Sequence, residues 1–196
     1  MNTGFERTDY PDGYFDIAVG NVPFGDYRVN DPVYNRHGFL IHDYFFAKTL
    51  DKLRPGGVAA FITTKGTMDK ENTKVRQYLF KRAELLGAVR LPNTAFKNAG
   101  TKVTSDILFL QKREKEIADP EWISVTEDAQ GIPVNSYFAA HPEMILGTMK
   151  EISGPYGVET ACIKNEGVSL EMQLRDAIAN ITGHIPERKF STGPNL

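Results

Sequence analysis

Apolar runs and amphipathic segments alternate along the first 113 residues of the chain. Four nearly continuous apolar runs predict buried strands, at 14–19, 58–63, 85–90 and 105–111. Two segments with apolar residues at helical spacing predict helices, at 37–53 and 70–82. The first helix is expected to end at Arg54-Pro55-Gly56-Gly57. Polar stretches without periodicity predict loops, at 25–36, 65–69 and 93–103.

This order of elements predicts the latter part of an α/β sheet. Strands that are apolar throughout suit a parallel sheet covered on both faces. The third and fourth strands have no helix between them, so this last pair is expected to be antiparallel. A doubly wound domain begins with a strand and a Gly-rich turn that receives a cofactor, and no such turn precedes residue 14. The chain is therefore expected to start in the middle of a fold.

The texture changes after residue 113. Residues 114–196 are rich in Pro, Gly and acidic groups, and they predict an irregular appendage packed against the sheet. An amphipathic helix is expected over 168–181, where it could cover this chain's own sheet or dock on another domain. The end, with Gly193-Pro194, predicts a frayed tail. Four aromatic residues of the appendage suit a small core better than base stacking: Trp122, Tyr137, Phe138 and Tyr156.

Composition narrows the class of protein. The 41% hydrophobic content allows a substantial core, and no apolar run reaches the roughly 20 residues that a membrane helix needs. Neither a membrane location nor a signal peptide is predicted, and a cytoplasmic location is expected. Cys162 is the single cysteine, which excludes a disulfide within the chain and argues against a Cys-based metal cluster. His37 and His42 are five residues apart, which is poor spacing for metal ligands, so no metal is expected.

Charge is unevenly distributed, although the formal net charge is only −2. Residues 48–113 hold 14 Lys and Arg against five Asp and Glu, whereas the regions before and after are acidic. A basic middle could place cations along a phosphate backbone, or it could reflect Lys-rich surfaces of helices in an α/β layer. Three loop lysines are candidates for contact with DNA phosphates, with solvated side chains as the alternative: Lys65, Lys97 and Lys102.

The run Asn21-Val22-Pro23-Phe24 ends the first strand, and its chemistry suits a flat ring that bears an amino group. Asn21 offers a side-chain carbonyl and Val22 a backbone carbonyl, while Pro23 biases the preceding residue toward an extended conformation. Phe24 offers a stacking face. Two acceptors near an aromatic amine can favour a pyramidal nitrogen whose lone pair points at an electrophile, so positioning and dipoles would dominate catalysis.

This run resembles the Asn-Pro-Pro-Phe/Tyr signature of methyltransferases that modify amino groups with S-adenosylmethionine. The downstream elements resemble the catalytic domain of type I modification subunits, which are N6-adenine-specific DNA methyltransferases. The likeness covers about residues 10–113. It is also similar to the methylase region of large methylase–helicase proteins of bacterial mobile elements. The segments that carry the likeness are 39–46, 54–57, 63–66, 76–79, 89–92 and 105–110.

The resemblance implies a partial catalytic domain over 1–113 with a Rossmann-like sheet. Asn21 and the Val22 carbonyl would hold adenine N6, and Phe24 would stack on a base extruded from the duplex. The methyl donor would be S-adenosylmethionine, but the family's Gly-rich cofactor loop is absent, so cofactor-binding residues stay unknown. The chain alone is expected to be inactive. Expected partners are DNA and the missing N-terminal part or a companion subunit, and the helicase likeness adds a helicase region as a further candidate.

Two other functions stay open from the residues. Val22 stands where the family usually has Pro, which favours a non-catalytic module that binds nucleic acid or a partner on a degenerate scaffold. The same turn also serves methyltransferases for RNA or for protein glutamine. The likeness to type I subunits favours DNA over both.

Overall fold

A computed structural model describes residues 3–154 and 157–188 of the 196-residue chain. The elements of the first part are β1 Phe15–Asn21, α1 Ile41–Lys52, β2 Leu53–Thr64, α2 Gly66–Asp69, α3 Lys74–Arg82, β3 Ala83–Leu91 and β4 Ser105–Lys112. The elements of the second part are β5 Val125–Glu127, β6 Pro133–Asn135, α4 Ser136–Ala140, β7 Thr148–Gly154, β8 Gly157–Ile163 and α5 Leu170–Ala179. The expected tail at Gly193-Pro194 and the aromatic Tyr156 lie outside the described residues.

Strands β1 to β4 form one sheet in the order β1-β2-β4-β3. Strands β1 and β2 are parallel, whereas β4 runs antiparallel to both β2 and β3. The predicted α/β fold with an antiparallel final pair is confirmed. The sequence pattern did not predict that β4 inserts between β2 and β3. Because β1 and β2 are parallel, their carboxyl ends meet at one edge of the sheet, next to the loops that follow them.

The first helix is shorter than predicted. Its capping residue Leu40 is extended and Gly38 has a left-handed φ of 64°, so α1 begins at Ile41 and Phe39 precedes it. Its end was also placed wrongly, because α1 ends at Lys52 and the following residues already belong to β2. In the ladder Phe15 pairs with Leu53 but Ile17 pairs with Val58, so 54–57 form an irregularity within the strand.

The loop and helix expected over 65–82 are divided differently. Residues Gly66–Asp69 form the short helix α2 where a loop was expected, and Lys70 then adopts an extended ψ of 135°. Helix α3 therefore begins only at Lys74, whose backbone N–H donates to Asn72 Oδ1 at 3.1 Å. The chain thus makes a tight turn directly after β2, at the carboxyl edge of the sheet.

One apolar core joins the sheet to the second part of the chain. Sheet residues Phe61 and Leu108 belong to the same buried cluster as Phe138 and Met149 of the appendage. Arg90 of β3 is wholly buried and stacks at 4.2 Å on the ring of Phe138. Packing of the appendage against the sheet is therefore confirmed, while the division of the chain at residue 113 stays a prediction.

Arg90 also binds two carboxylates that come from different elements. Its Nε and Nη2 atoms donate to the Oδ1 and Oδ2 atoms of Asp106 on β4, both at 2.9 Å. Asp69 of α2 is an ion-pair partner of Arg90 Nη1 at 2.8 Å, and it accepts the backbone N–H of Asn135. One buried guanidinium thus ties α2, β3 and β4 together beneath the appendage.

Helix α5 covers part of this chain's own sheet. Its buried Ala177 and partly buried Leu170 and Leu174 pack against the core, whereas Val168 and Ile178 are exposed. The predicted apolar face was therefore wrong in those two members, and the helix is four residues shorter than the 168–181 predicted. Ring–ring contacts confirm that Trp122 and Tyr137 form a small core. In the described ranges, no helix is long and apolar enough to cross a membrane.

Candidate functional site

The Asn21-Val22-Pro23-Phe24 turn lies at the carboxyl end of β1, beside the end of β2. The backbone N–H of Val22 donates to the carbonyl of Ile62 at 3.0 Å, and the Val22 side chain is only 2% exposed. Asn21 is exposed, and Phe24 is 51% exposed although it is a large apolar residue. The buried valine therefore fixes the backbone of the turn while the amide and the ring on either side of it face solvent.

A cavity of about 400 Å³ runs along β1 and reaches this turn. Its walls are largely aromatic and come from β1, β2, α1 and the N-terminal segment, among them Phe5, Phe45 and Phe61. Asn21 and Val22 line its upper end, whereas Pro23 and Phe24 are not among its lining residues. The expected floor of a pocket, from Asn21 to Phe24, is thus divided between this cavity and the surface above it.

The loop that continues from Phe24 is held on α1 by a buried carboxylate. Asp31 accepts hydrogen bonds from the Tyr44 hydroxyl at 2.8 Å and from Lys48 Nζ at 3.1 Å. Tyr44 and Lys48 are four residues apart on α1, so both reach the same point beside the helix. Burial opposes ionisation of Asp31, but these bonds and one from the Val33 N–H outweigh it and lower its pKa.

A second buried polar group lies at the start of α1, at the same end of the sheet. His42 Nε2 is 3.3 Å from Asp43 Oδ1 and 3.4 Å from Lys70 Nζ. Burial lowers the pKa of His42 and raises the pKa of Asp43. The imidazole is therefore neutral at pH 7, and the described residues contain no cluster of three or more potential metal ligands. This agrees with the structural role predicted for His42, although its burial and its contact with Lys70 were not foreseen.

The three candidate lysines follow the strands at the same end of the sheet but differ in environment. Lys97 and Lys102 are exposed in the loop between β3 and β4. Lys65, directly after β2, is partly buried and its Nζ donates to Thr160 Oγ1 on β8 at 2.9 Å. Contact of these three lysines with DNA stays a prediction.

Two features of this site gave no usable signal in the sequence. Asp31 lies in a polar stretch in which several other polar residues look equivalent, and only the fold shows which of them meets Lys48. Thr160 lies 95 positions from Lys65. Such contacts depend on tertiary packing, and no periodic pattern marks them.

Solved structures provide one set of comparisons, all with TM-scores below 0.5. A Listeria monocytogenes protein assigned as a class I S-adenosylmethionine-dependent methyltransferase is 20% identical with a TM-score of 0.45, over 60% of this chain and 38% of that one. The M protein of the type I restriction enzyme EcoKI is 23% identical with a TM-score of 0.40, over 50% and 21%. A Vibrio vulnificus protein assigned as a type I modification subunit is 18% identical with a TM-score of 0.43, over 82% and 40%.

Sequence comparisons are more specific. The "Defense against restriction protein B" of Escherichia phage P1 is 36% identical over 113 residues. The match covers 56% of this chain but only 5% of the phage protein, so the chain spans a small part of that relative. Residues 2–135 match the family described as N-6 DNA Methylase, which confirms the predicted adenine methyltransferase region. More than half of the chain lies within this match, and the chain belongs to the N-6 DNA methylase family.

Proposed function

We propose that this chain supplies the base-binding part of a DNA methyltransferase that acts on adenine N6, and that another polypeptide segment holds the methyl donor. One observation carries this proposal: the exposed amide of Asn21 and the half-exposed ring of Phe24 flank a backbone that Val22 pins to β2. A planar base that bears an amino group needs these two features, an acceptor for its N–H and an apolar face for its ring.

In this proposal the chain positions the acceptor nitrogen. The Asn21 side-chain oxygen and the Val22 carbonyl accept hydrogen bonds from the amino group, which favours a lone pair directed out of the ring plane. Phe24 stacks on the base and fixes its plane. Because the turn is already held by the bond from Val22 to Ile62, little reorganisation accompanies base binding.

S-adenosylmethionine, which supplies an activated methyl group when bound, does not fit the described residues alone. The polar lining of the β1 cavity consists of Asn21, Thr49 and Lys52, and no described lining residue carries a carboxylate. A ribose diol and a sulfonium cation both call for acidic or acceptor groups. The cavity could therefore complete a cofactor site only together with residues from elsewhere.

The edge of the sheet supports a contribution from elsewhere. Within the described ranges β1 pairs with β2 alone, so its other edge presents free N–H and C=O groups. Ile17 and Val19 of β1 are 56% and 77% exposed. We place the cofactor-binding part of the enzyme at this edge, either as an upstream region or as a companion subunit, and we expect DNA beside Lys97 and Lys102.

The test combines this chain with the candidate cofactor-binding polypeptide and measures transfer of a labelled methyl group from S-adenosylmethionine to adenine in DNA. Asn21→Ala is expected to lower the rate by about 100-fold or more, the usual loss when one preorganised polar contact to the reacting group is removed. Its fold should persist because the Asn21 side chain is exposed. The matched control is Asn180→Ala, a change in an exposed asparagine after α5.

Full activity of Asn21→Ala would remove this residue from the mechanism. A combined protein that binds DNA with a steep salt dependence, but neither binds the cofactor nor transfers methyl groups, would favour the non-catalytic alternative that Val22 raises.

A further inference from the structure

Strands β7 and β8 form a two-stranded hairpin that crosses the carboxyl edge of the sheet. At its base, the Cys162 carbonyl accepts the backbone N–H of Asn93 at 2.8 Å, directly after β3. The Cys162 N–H donates to Thr104 Oγ1 at 2.9 Å, directly before β4. Two residues nearer the tip, Thr160 Oγ1 accepts from Lys65 Nζ at 2.9 Å, directly after β2.

These contacts follow the order of the strands in the sheet. From the base of the hairpin toward its tip they pass from β3 and β4 to β2, and the next strand in the sheet is β1. Two further residues of β8 extend about 7 Å, whereas neighbouring strands are about 4.8 Å apart. The described residues beyond Thr160 therefore reach the end of β1, where the turn from Asn21 to Phe24 lies.

Side-chain alternation directs one residue toward that turn. Successive side chains of a strand point to opposite faces, so Val158 shares a face with Thr160, the residue that contacts Lys65. Val158 pairs with Ser153 on β7, and Thr160 pairs with Glu151. Val158 is 74% exposed even though it lies on the face turned toward the end of the sheet. It thus presents an apolar surface to open space beside the turn.

The charge of the hairpin argues against contact with phosphates. Its exposed charged residues in the described part are Lys150, Glu151 and Glu159, which sum to a net negative charge. A negative surface repels a DNA backbone, whereas an apolar side chain can contact a base.

We propose that Val158 forms an apolar wall opposite Phe24 and contacts the extruded base, with Thr160 and Lys65 as positioning residues that hold the hairpin in place. This assignment rests on the proposed function for its ligand, but not for the placement of the hairpin. Val158 then belongs to the base-binding site, although it is 134 residues from Phe24 in the chain.

Placement is tested in this chain alone by cross-linking. Val158→Cys combined with Phe24→Cys should be joined by a short bismaleimide, whereas Val158→Cys combined with Lys115→Cys, a position beyond the opposite end of β2, should not. The native Cys162 is wholly buried and stays unreactive in the folded chain. Thr160→Val, which keeps the shape but removes the acceptor for Lys65, should lower the yield of the first pair. Equal yields for the two pairs would overturn the placement.

The ligand is tested with a single-stranded oligonucleotide that carries 2-aminopurine, whose fluorescence is quenched by stacking. Val158→Ser should weaken binding about fivefold because it removes apolar contact area, and Val158→Ile should restore it. Val168→Ser changes an exposed valine before α5 and should have no effect. Cross-linking without any loss in Val158→Ser would overturn the base as the ligand. Absence of quenching in the parent chain would refute base binding by this chain, and the cross-link would still decide the placement.

Discussion

Replacing Asp31 with alanine tests whether the loop after Phe24 is held by a buried charge. The substitution removes the acceptor for the Tyr44 hydroxyl and for Lys48 Nζ, at 2.8 and 3.1 Å. Lys48 is then left as a buried ammonium whose remaining polar partner is the Glu6 carbonyl at 3.2 Å, with the Phe5 ring 5.3 Å away. An uncompensated buried charge is among the most destabilising changes that a single substitution can make.

The expected loss in the free energy of unfolding is about 3–5 kcal/mol, as for other buried ion pairs from which one partner is removed. A domain of this kind is stable by only about 5–15 kcal/mol, so the loss is a large fraction of the total. Asp31→Ala combined with Lys48→Met should lose less than the sum of the two single changes, because neither charge is then left unpaired.

Urea unfolding, followed by circular dichroism and by the fluorescence of Trp122, measures the change. Asp12→Ala is the matched control, because Asp12 binds Lys52 at 2.7 Å but its side chain is 75% exposed. Such a surface pair contributes only about 0–1 kcal/mol. If Asp31→Ala loses no more stability than Asp12→Ala, the loop is not held in this way.

The same carboxylate makes stability depend on pH. The pKa of Asp31 is lower in the folded chain than in the unfolded chain, so the unfolded chain binds more protons as the pH falls. The contribution of Asp31 is therefore complete above the ordinary pKa of an aspartate, and it is lost as the pH falls through the lowered value. Asp31→Ala should flatten the unfolding free energy over this acidic range.

Three further predictions concern DNA binding, the buried thiol and the buried guanidinium. Neutralising Lys97 and Lys102 to Gln should lower the slope of log affinity for duplex DNA against log salt by about two, because roughly one counterion is released per phosphate contact, whereas Lys115→Gln should leave the slope unchanged. Burial raises the pKa of Cys162 to about 12, so a thiol reagent at pH 8 should label it only at the rate of unfolding; rapid labelling in the absence of denaturant would contradict this burial. This raised pKa also implies that the contribution of Cys162 to stability is complete below the ordinary thiol pKa and declines as the pH rises toward 12. Arg90→Met should destabilise the chain by about 3–5 kcal/mol in urea unfolding, since it leaves the Asp106 carboxylate buried without its partner; a loss below about 1 kcal/mol would show that the ion pair is not needed.

The sequence by itself determined the local elements and the chemistry of the turn. Apolar runs identified all four strands of the main sheet because burial on both faces requires such runs. The absence of a helix between the third and fourth strands was enough to predict their antiparallel pairing. The position of Asn21 to Phe24 at a strand end followed from the change of an apolar run into a polar loop. Element boundaries were less well predicted, because capping at Leu40 and the extended Lys70 are local choices that the surrounding packing decides.

Only the tertiary structure decided which distant residues surround the turn. Strand β4 inserts between β2 and β3, which brings the loop of Lys97 and Lys102 to the same edge as Lys65. Asp31 is one of several similar polar residues in its loop, and its selection by Lys48 depends on where α1 lies. The hairpin that carries Val158 is placed by contacts with three separate loops. Periodicity reports only which face of an element is buried, whereas these contacts depend on how the elements pack together, so one sequence pattern is compatible with many such arrangements.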